Sequence, residues 1–426
     1  AYHDQKFMSS TNLETAKHLD REDALSEYRE CFERPTDDQG QPLIYLCGNS
    51  LGLQPKQTKK YLEFELEHWA KWGVDGHTEG KNAWLPYHEL LTHQMAEIVG
   101  GKPQEVVVMN TLTVNLHLMM VSFYRPTKER FKIIIEADAF PSDRYAVESQ
   151  IKFHGFDPKE ALILWQPNPE DGLCHFSDFE QLMQEHGQST ALVMLGNSNY
   201  YSGQVYPIRA ITDISHHYGA TVGFNLAHGA GNILCDLHEN QVDFAVWCTY
   251  KYLNSGPGSL GGVFVHQRHA HAHELPRFTG WWGHNKETRF KMRDEFDPIP
   301  GAEGWQLSNP PILSMAAIRA SLDLFDRAGM KSLREKSIKL TGFLADSLNA
   351  LSHDKIRILT PIDPAQRGAQ LSLQIKNSDK TLHQKLTDLG VVSDWREPDV
   401  IRVAPAPLYN SFQDVHEFVQ RLSQCL

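Results

Sequence analysis

Val246-Trp-Cys-Thr-Tyr-Lys251-Tyr-Leu-Asn-Ser-Gly-Pro-Gly-Ser-Leu-Gly-Gly262 puts a lysine where an apolar stretch runs into a glycine-rich loop. A lysine ending a buried strand is costly unless its charge is used or its amine is covalently modified. A Schiff base from Lys251 to pyridoxal 5'-phosphate (PLP) fits the burial, and the glycines let backbone approach a bound group. The competing reading is a lysine that buries its stem and sends its ammonium to solvent. A nucleotide-phosphate reading of Asn254–Gly262 fails because the Gly-Lys-Ser/Thr ending is missing.

Outward from this run the chain alternates. Glu105–Met109, Phe131–Glu136, Ala161–Trp165, Ala191–Leu195, Ala220–Phe224 and Phe244–Cys248 are short, apolar and β-rich. Helical stretches, among them Thr113–Phe123 and Ser142–Gly155, separate them. Such βα units build a mostly parallel sheet flanked by helices. After Asn309-Pro-Pro-Ile-Leu the pattern changes to a long helical stretch over 313–350. Strands at Ile356–Leu359, Ala369–Ile375 and Val400–Ala404 follow, with a helix near 380–388. The expected organisation is α/β. An N-terminal segment (1–55, with a helix over 11–35) packs on the small domain, followed by a large domain (56–312) and a smaller α+β domain (313–426).

Composition narrows the function. The formal net charge of -12 leaves no basic surplus for nucleic acid or an anionic membrane. No apolar run spans a bilayer, and Ala1–Met8 lacks the pattern of a secretory signal. The six cysteines are scattered without a C-x-x-C pair, as expected of a reduced cytoplasmic protein. His266, His269, His271 and His273 lie close together, and a solvated connector without partner carboxylates is expected there rather than a metal site.

In a parallel sheet, ligands sit beyond the carboxyl ends of the strands, and the candidate residues recur there. Leu112 and Thr113 open a helix after Met109, where free N–H groups and a hydroxyl suit a phosphate. Phe140 and Asp143 follow Glu136 with an aromatic face and a carboxylate. Asn225 and His228 follow Phe224, and Tyr250 and Lys251 follow Cys248. Each has a plain structural alternative: cap, core side chain, helix-terminal charge, buried histidine. Their shared position argues for one site.

These residues sit within motifs that resemble the kynureninase family, PLP enzymes of the aspartate-aminotransferase fold type (fold type I). The motifs are Gly48-Asn-Ser-Leu-Gly-Leu-Gln-Pro55, Leu112-Thr-Val-Asn-Leu-His117, Ala139-Phe-Pro-Ser-Asp143, Tyr250-Lys-Tyr-Leu-Asn254, Gly280-Trp-Trp-Gly-His284, Leu307-Ser-Asn-Pro-Pro-Ile312 and Ile401-Arg-Val-Ala-Pro405. The resemblance runs collinearly from about residue 15 to the C-terminus.

It implies a homodimeric hydrolase of tryptophan catabolism, in the kynurenine pathway towards NAD biosynthesis. The enzyme would convert L-kynurenine or 3-hydroxy-L-kynurenine to anthranilate or 3-hydroxyanthranilate and L-alanine. Lys251 would hold PLP. Leu112, Thr113, Tyr250, Trp281 and Asn309 would hold its phosphate, the last two across the dimer interface. Phe140 would stack on the ring, and Asp143, Asn225 and His228 would also line the cofactor. Tyr250 would exchange a catalytic proton. Ser50, His77 and Asn309 would border the substrate, and Arg402 would bind its carboxylate. The alternative for Arg402 is a surface ion pair with Asp399 or Glu397. The chain departs from the family at Asn225, where the family carries aspartate, and in the polar run Gly196-Asn-Ser-Asn-Tyr200. These departures keep open a divergent PLP lyase or hydrolase acting on another amino acid, or a slower homologue.

Overall fold

The computed structural model describes residues 11–351 and 354–426; the segment Ala1–Met8 therefore lies outside the described residues. Among the described residues, thirteen strands form three sheets. The N-terminal strand is β1 (Ile44–Tyr45). The large-sheet strands are β2 (Val106–Met109), β3 (Lys132–Glu136), β4 (Leu162–Trp165), β5 (Thr190–Gly196), β6 (Thr221–Asn225), β7 (Phe244–Cys248) and β8 (Gly261–Val265). The C-terminal strands are β9 (Ile356–Ile358), β10 (Leu371–Ile375), β11 (Val391–Val392), β12 (Asp394–Arg396) and β13 (Val400–Val403).

The large sheet runs in the order β2-β8-β7-β6-β5-β3-β4. All neighbouring pairs from β7 to β4 are parallel. β8 alone runs against its neighbours β2 and β7. β8 begins at the last two residues of what reads from sequence as a glycine-rich loop, Gly261 and Gly262. Its glycines have a packing cause: a Cβ on Gly262 would fall 2.2 Å from the Trp247 ring. A strand of bulkier residues cannot lie beside that buried indole.

Alternation along each strand divides the core in two. Val106, Val108, Ile134, Val193, Val222, Phe224 and Trp247 face helices Glu89–Val99, Phe176–His186, Ile208–His217 and Ile312–Ala328. Val107, Ile133, Ile135, Leu192, Met194, Val246 and Val263 face helices Leu112–Phe123 and Pro141–Phe153. Each large apolar side chain so buried contributes roughly 1.5–3 kcal/mol.

The second sheet, β12-β13-β10-β9, is antiparallel throughout. Its core is shared with helices Met330–Ala350 and Phe412–Gln424. β1 pairs in parallel with β11, and Asp20 accepts the Phe412 N–H at 2.8 Å, so the N-terminal segment packs on the C-terminal elements. The stretch 313–350 is two helices, Ile312–Ala328 and Met330–Ala350, separated at Gly329 with φ 80°. Glycine adopts that angle without steric cost, which is why the break falls there. The first packs on helix Thr58–Trp72 and the second on Phe412–Gln424. The helix expected over 11–35 is shorter, Leu13–Glu22, capped by the Asn12 side chain on the Thr15 N–H.

The histidines after β8 are not a solvated connector. His266 is buried and stacks on His238, which bonds both oxygens of Glu105 at 3.0 Å; His269 Nε2 bonds Asp243 at 2.8 Å. Only His271 and His273 of that group are exposed. Glu105, His238 and His266 place possible ligand atoms within 4.8 Å of one another. The Glu105 oxygens already accept the N–H groups of Lys102 and Gln267, so hydrogen bonding alone explains the cluster. All six cysteines are free, and among the described residues no helix is long and apolar enough to cross a membrane.

Candidate active site

The carboxyl ends of β3, β5, β6 and β7 open into a pocket of about 170 Å³. Leu112, Thr113, Phe140, Asp143, Asn225, His228, Tyr250 and Lys251 all line it. A short apolar strand followed by a polar turn delivers each of the later residues, and β2 delivers the helix that begins at Leu112.

The turn after β7 is fixed from two sides. Thr249 bonds Ser259 at 2.9 Å, and the Asn254 N–H bonds the Lys251 carbonyl at 3.1 Å. From outside, the Gly52 N–H donates to the Tyr250 carbonyl at 2.9 Å. A Cβ on Gly52 would lie 2.1 Å from Asn254 Oδ1 and 2.4 Å from the Lys251 carbonyl. The Gly48–Gly52 turn therefore braces the lysine loop, and glycine is required for that approach.

Electrostatics in the pocket favour neutral amines and under-partnered acids. Burial lowers the Lys251 pKa, and nearby Arg402 acts in the same direction. Burial, with Lys251 beside it, holds His228 well below its usual value. Its Nδ1 is buried and makes no hydrogen bond. Burial also pushes the Tyr250 phenol up to about 12, so it stays protonated and able to donate at neutral pH. Asp143 is raised to about 6 by burial, against the Asn225 hydrogen bond and the Lys251 charge. The Asn225 amide donates to both Asp143 oxygens at 2.9 Å, while its own oxygen accepts the Ala227 N–H at 2.9 Å.

Sequence reasoning missed part of the lining. Glu136, Ser142, Ser198, Asn199 and Tyr200 also face the pocket. Glu136 carries the signal used for its neighbours: a polar residue ending an apolar strand. It is buried, accepts the Gly196 N–H at 3.0 Å and is raised to about 8, mainly by burial. The polar run 196–200 borders the pocket, as expected.

Arg402 lies on β13, outside the lining but joined to it. It is 1% exposed, donates to the Tyr200 carbonyl at 2.7 Å and pairs with Asp394 at 2.5 Å. The alternative, an ion pair with Asp399 or Glu397, does not form. Those side chains accept from Gln374 and Trp395 instead, because β12 and β13 set Asp394 directly opposite Arg402. The Arg402 Nε is buried without a partner. Tyr200 in turn meets the Phe140 ring edge-on at 5.3 Å. Ser50, His77, Trp281 and Asn309 do not line the pocket. Ser50 is exposed, and the His77 ring bonds the Val74 carbonyl at 2.8 Å. Trp281 and Asn309 are exposed and joined by a 3.0 Å hydrogen bond.

These residues fit PLP. Lys251 offers a primary amine, and Phe140 is a half-exposed aromatic wall. Helix Leu112–Phe123 opens at the pocket with no side chain capping its first N–H groups, which leaves them for a phosphate. The fold and site define a fold type I PLP enzyme. A solved structure of C-DES with glycine covalently linked to its PLP cofactor matches with TM-score 0.74 at 16% identity, over 89% of this chain and 96% of that one.

Within that class, the chain belongs to the kynureninase family. It is 58% identical to the kynureninase of Myxococcus xanthus over 407 residues, 96% of each chain. It is 53% identical to that of Koribacter versatilis over 403 residues, 95% of each chain. The family description "Kynureninase C-terminal domain" matches residues 333–422.

Proposed function

We propose that this protein hydrolyses the Cβ–Cγ bond of L-kynurenine or 3-hydroxy-L-kynurenine, giving the corresponding anthranilate and L-alanine. The observation that carries the reading is the convergence of Lys251, Tyr250, Asp143 and an uncapped helix N-terminus on one pocket in a chain of this family. Bound PLP supplies an electron sink for charge developing at the substrate Cα.

The chain's own groups do the rest. Leu112 and Thr113 hold the phosphate, and Phe140 walls the ring. Lys251, its pKa lowered by burial, takes and returns the Cα proton. Water adds to the substrate γ-carbonyl. As the Cβ–Cγ bond breaks, Cγ leaves as the carboxylate of the anthranilate and Tyr250 donates a proton to Cβ, which becomes the methyl of L-alanine. Arg402 presents a buried guanidinium with one free donor to the α-carboxylate. Ser50, His77 and Asn309 lie outside this chain's own pocket and would border the substrate ring only in the assembled dimer.

Trp281 and Asn309 act in a partner's site within a homodimer. In support, Trp281, Phe290 and Met292 are exposed, with the first two rings in edge contact at 5.6 Å; such a patch calls for a covering surface. The three-part division (1–55, 56–312, 313–426) lets the C-terminal unit carry Arg402 towards the large unit's pocket. Six free cysteines suit the cytoplasm. The purified holoenzyme mixed with kynurenine should develop anthranilate fluorescence with equimolar L-alanine. Bound PLP without either product would refute the assignment.

A further inference from the structure

The lining of the pocket has a charge problem. Protonating the PLP ring nitrogen strengthens the electron sink, and a neighbouring carboxylate is what holds that proton. Residue 225 ends β6 as an asparagine, and an amide brings no charge. It is also committed. Its N–H groups donate to both Asp143 oxygens, and its oxygen accepts the Ala227 N–H.

The lining contains two carboxyl groups, Glu136 and Asp143. Glu136 is buried, bonds the Gly196 N–H and has its pKa raised to about 8, so it is predominantly neutral at pH 7. Asp143 lies next to Lys251 and Asn225, and its pKa of about 6 leaves it mostly ionised at pH 7. A cationic ring in the pocket ionises it further, because an opposite charge nearby favours the charged form.

We infer that Asp143 supplies the negative charge that keeps the cofactor's ring nitrogen protonated, with Asn225 as a positioning residue that holds both of its oxygens. The pocket thus works with one carboxylate. An aspartate at 225 would set a second carboxylate within about 3 Å of the first, where both cannot easily ionise together. Asparagine removes that repulsion and adds a donor that fixes Asp143 in place.

The inference rests on PLP binding, and the test separates the two. Holoenzyme is loaded with PLP labelled with ¹⁵N in the ring, and the nitrogen shift is read at pH 7 in the wild type, Asp143→Asn and Glu136→Gln. The visible cofactor band reports PLP binding independently, so its absence from the wild type counts against the functional reading. With the band present, the wild type should show a pyridinium shift, Glu136→Gln should keep it, and Asp143→Asn should show the free-base shift. A free-base signal in the wild type overturns the inference. So does a pyridinium signal in Asp143→Asn, or its loss in Glu136→Gln. If Asp143→Asn does not fold, a wild-type pyridinium kept in Glu136→Gln still assigns the charge to Asp143 by elimination. Asn225→Ala should keep the cofactor band and broaden or split the nitrogen signal, because Asp143 then has no fixed donor; an unchanged signal would remove the positioning role.

Discussion

The start of β7 and the pocket beyond its end hold buried acids of opposite character. Before its first residue, Asp243 accepts from His216 at 2.7 Å and from the Val222 N–H, Arg268 and His269 at 2.8 Å each. That many partners outweigh the burial penalty and drive its pKa far below the usual carboxylate range. In the pocket beyond its last residue, Asp143 of helix Pro141–Phe153 has one amide partner and Glu136 at the end of β3 a backbone N–H, and burial pushes both upwards. β7 thus runs from an acid satisfied for stability to a pocket whose acids, on other elements, are left under-partnered beside an amine. Perturbation alone does not mark a reaction centre; the direction of the shift and the missing partners do.

The sharpest way to break this contrast is to change each end in turn. Lys251→Ala should lower kynurenine turnover on the order of a thousandfold or more. It should leave the cofactor-free protein as stable as before, because burial already disfavours that lysine's charge. Steady-state kinetics and a melting curve check both halves. Asp243→Asn should do the reverse, costing about 3 kcal/mol in denaturant unfolding while the cofactor spectrum stays unchanged. The sign with pH follows from its lowered folded pKa. Its contribution is fully present above the unfolded value of roughly 3.9 and is lost as pH falls below it. The variant's acid-unfolding curve should lose that limb.

Smaller effects probe the reach of the pocket. Arg402→Lys keeps the charge but loses the planar fork that spans Asp394 and the Tyr200 carbonyl. KM for kynurenine should rise roughly 10- to 100-fold, the range of one or two charge-assisted hydrogen bonds. Asn309→Ala should have the least effect, with cofactor dissociation about three- to tenfold faster, one ordinary hydrogen bond's worth. An analytical ultracentrifugation run should show the proposed dimer unchanged by the substitution.

Much of the pocket end was legible because strand-end polar residues break an apolar pattern that one chain displays locally. Lys251, Asp143, Asn225 and His228 are of this kind, and Glu136 could have been found by the same rule. The opposite end was not legible. Asp243 draws its partners from positions 216, 222, 268 and 269, and no periodicity announces such a meeting. β8 was hidden because its glycines answer to the Trp247 ring, a tertiary contact that overrides local preference. The protein partner of Arg402 was not legible either: Asp394 faces it across the β12–β13 ladder, whereas Asp399 and Glu397, the alternative partners, are nearer in sequence. The helix break at Gly329 was visible as a glycine, but a glycine inside a helical pattern need not end it.

Borohydride reduction of the holoenzyme, followed by peptide mass analysis, tests most directly which end of β7 is the reaction centre. The account predicts a phosphopyridoxyl mass on the peptide containing Lys251, absent from Lys251→Ala. The same mass on another lysine, or none in a protein that turns over kynurenine, would contradict it.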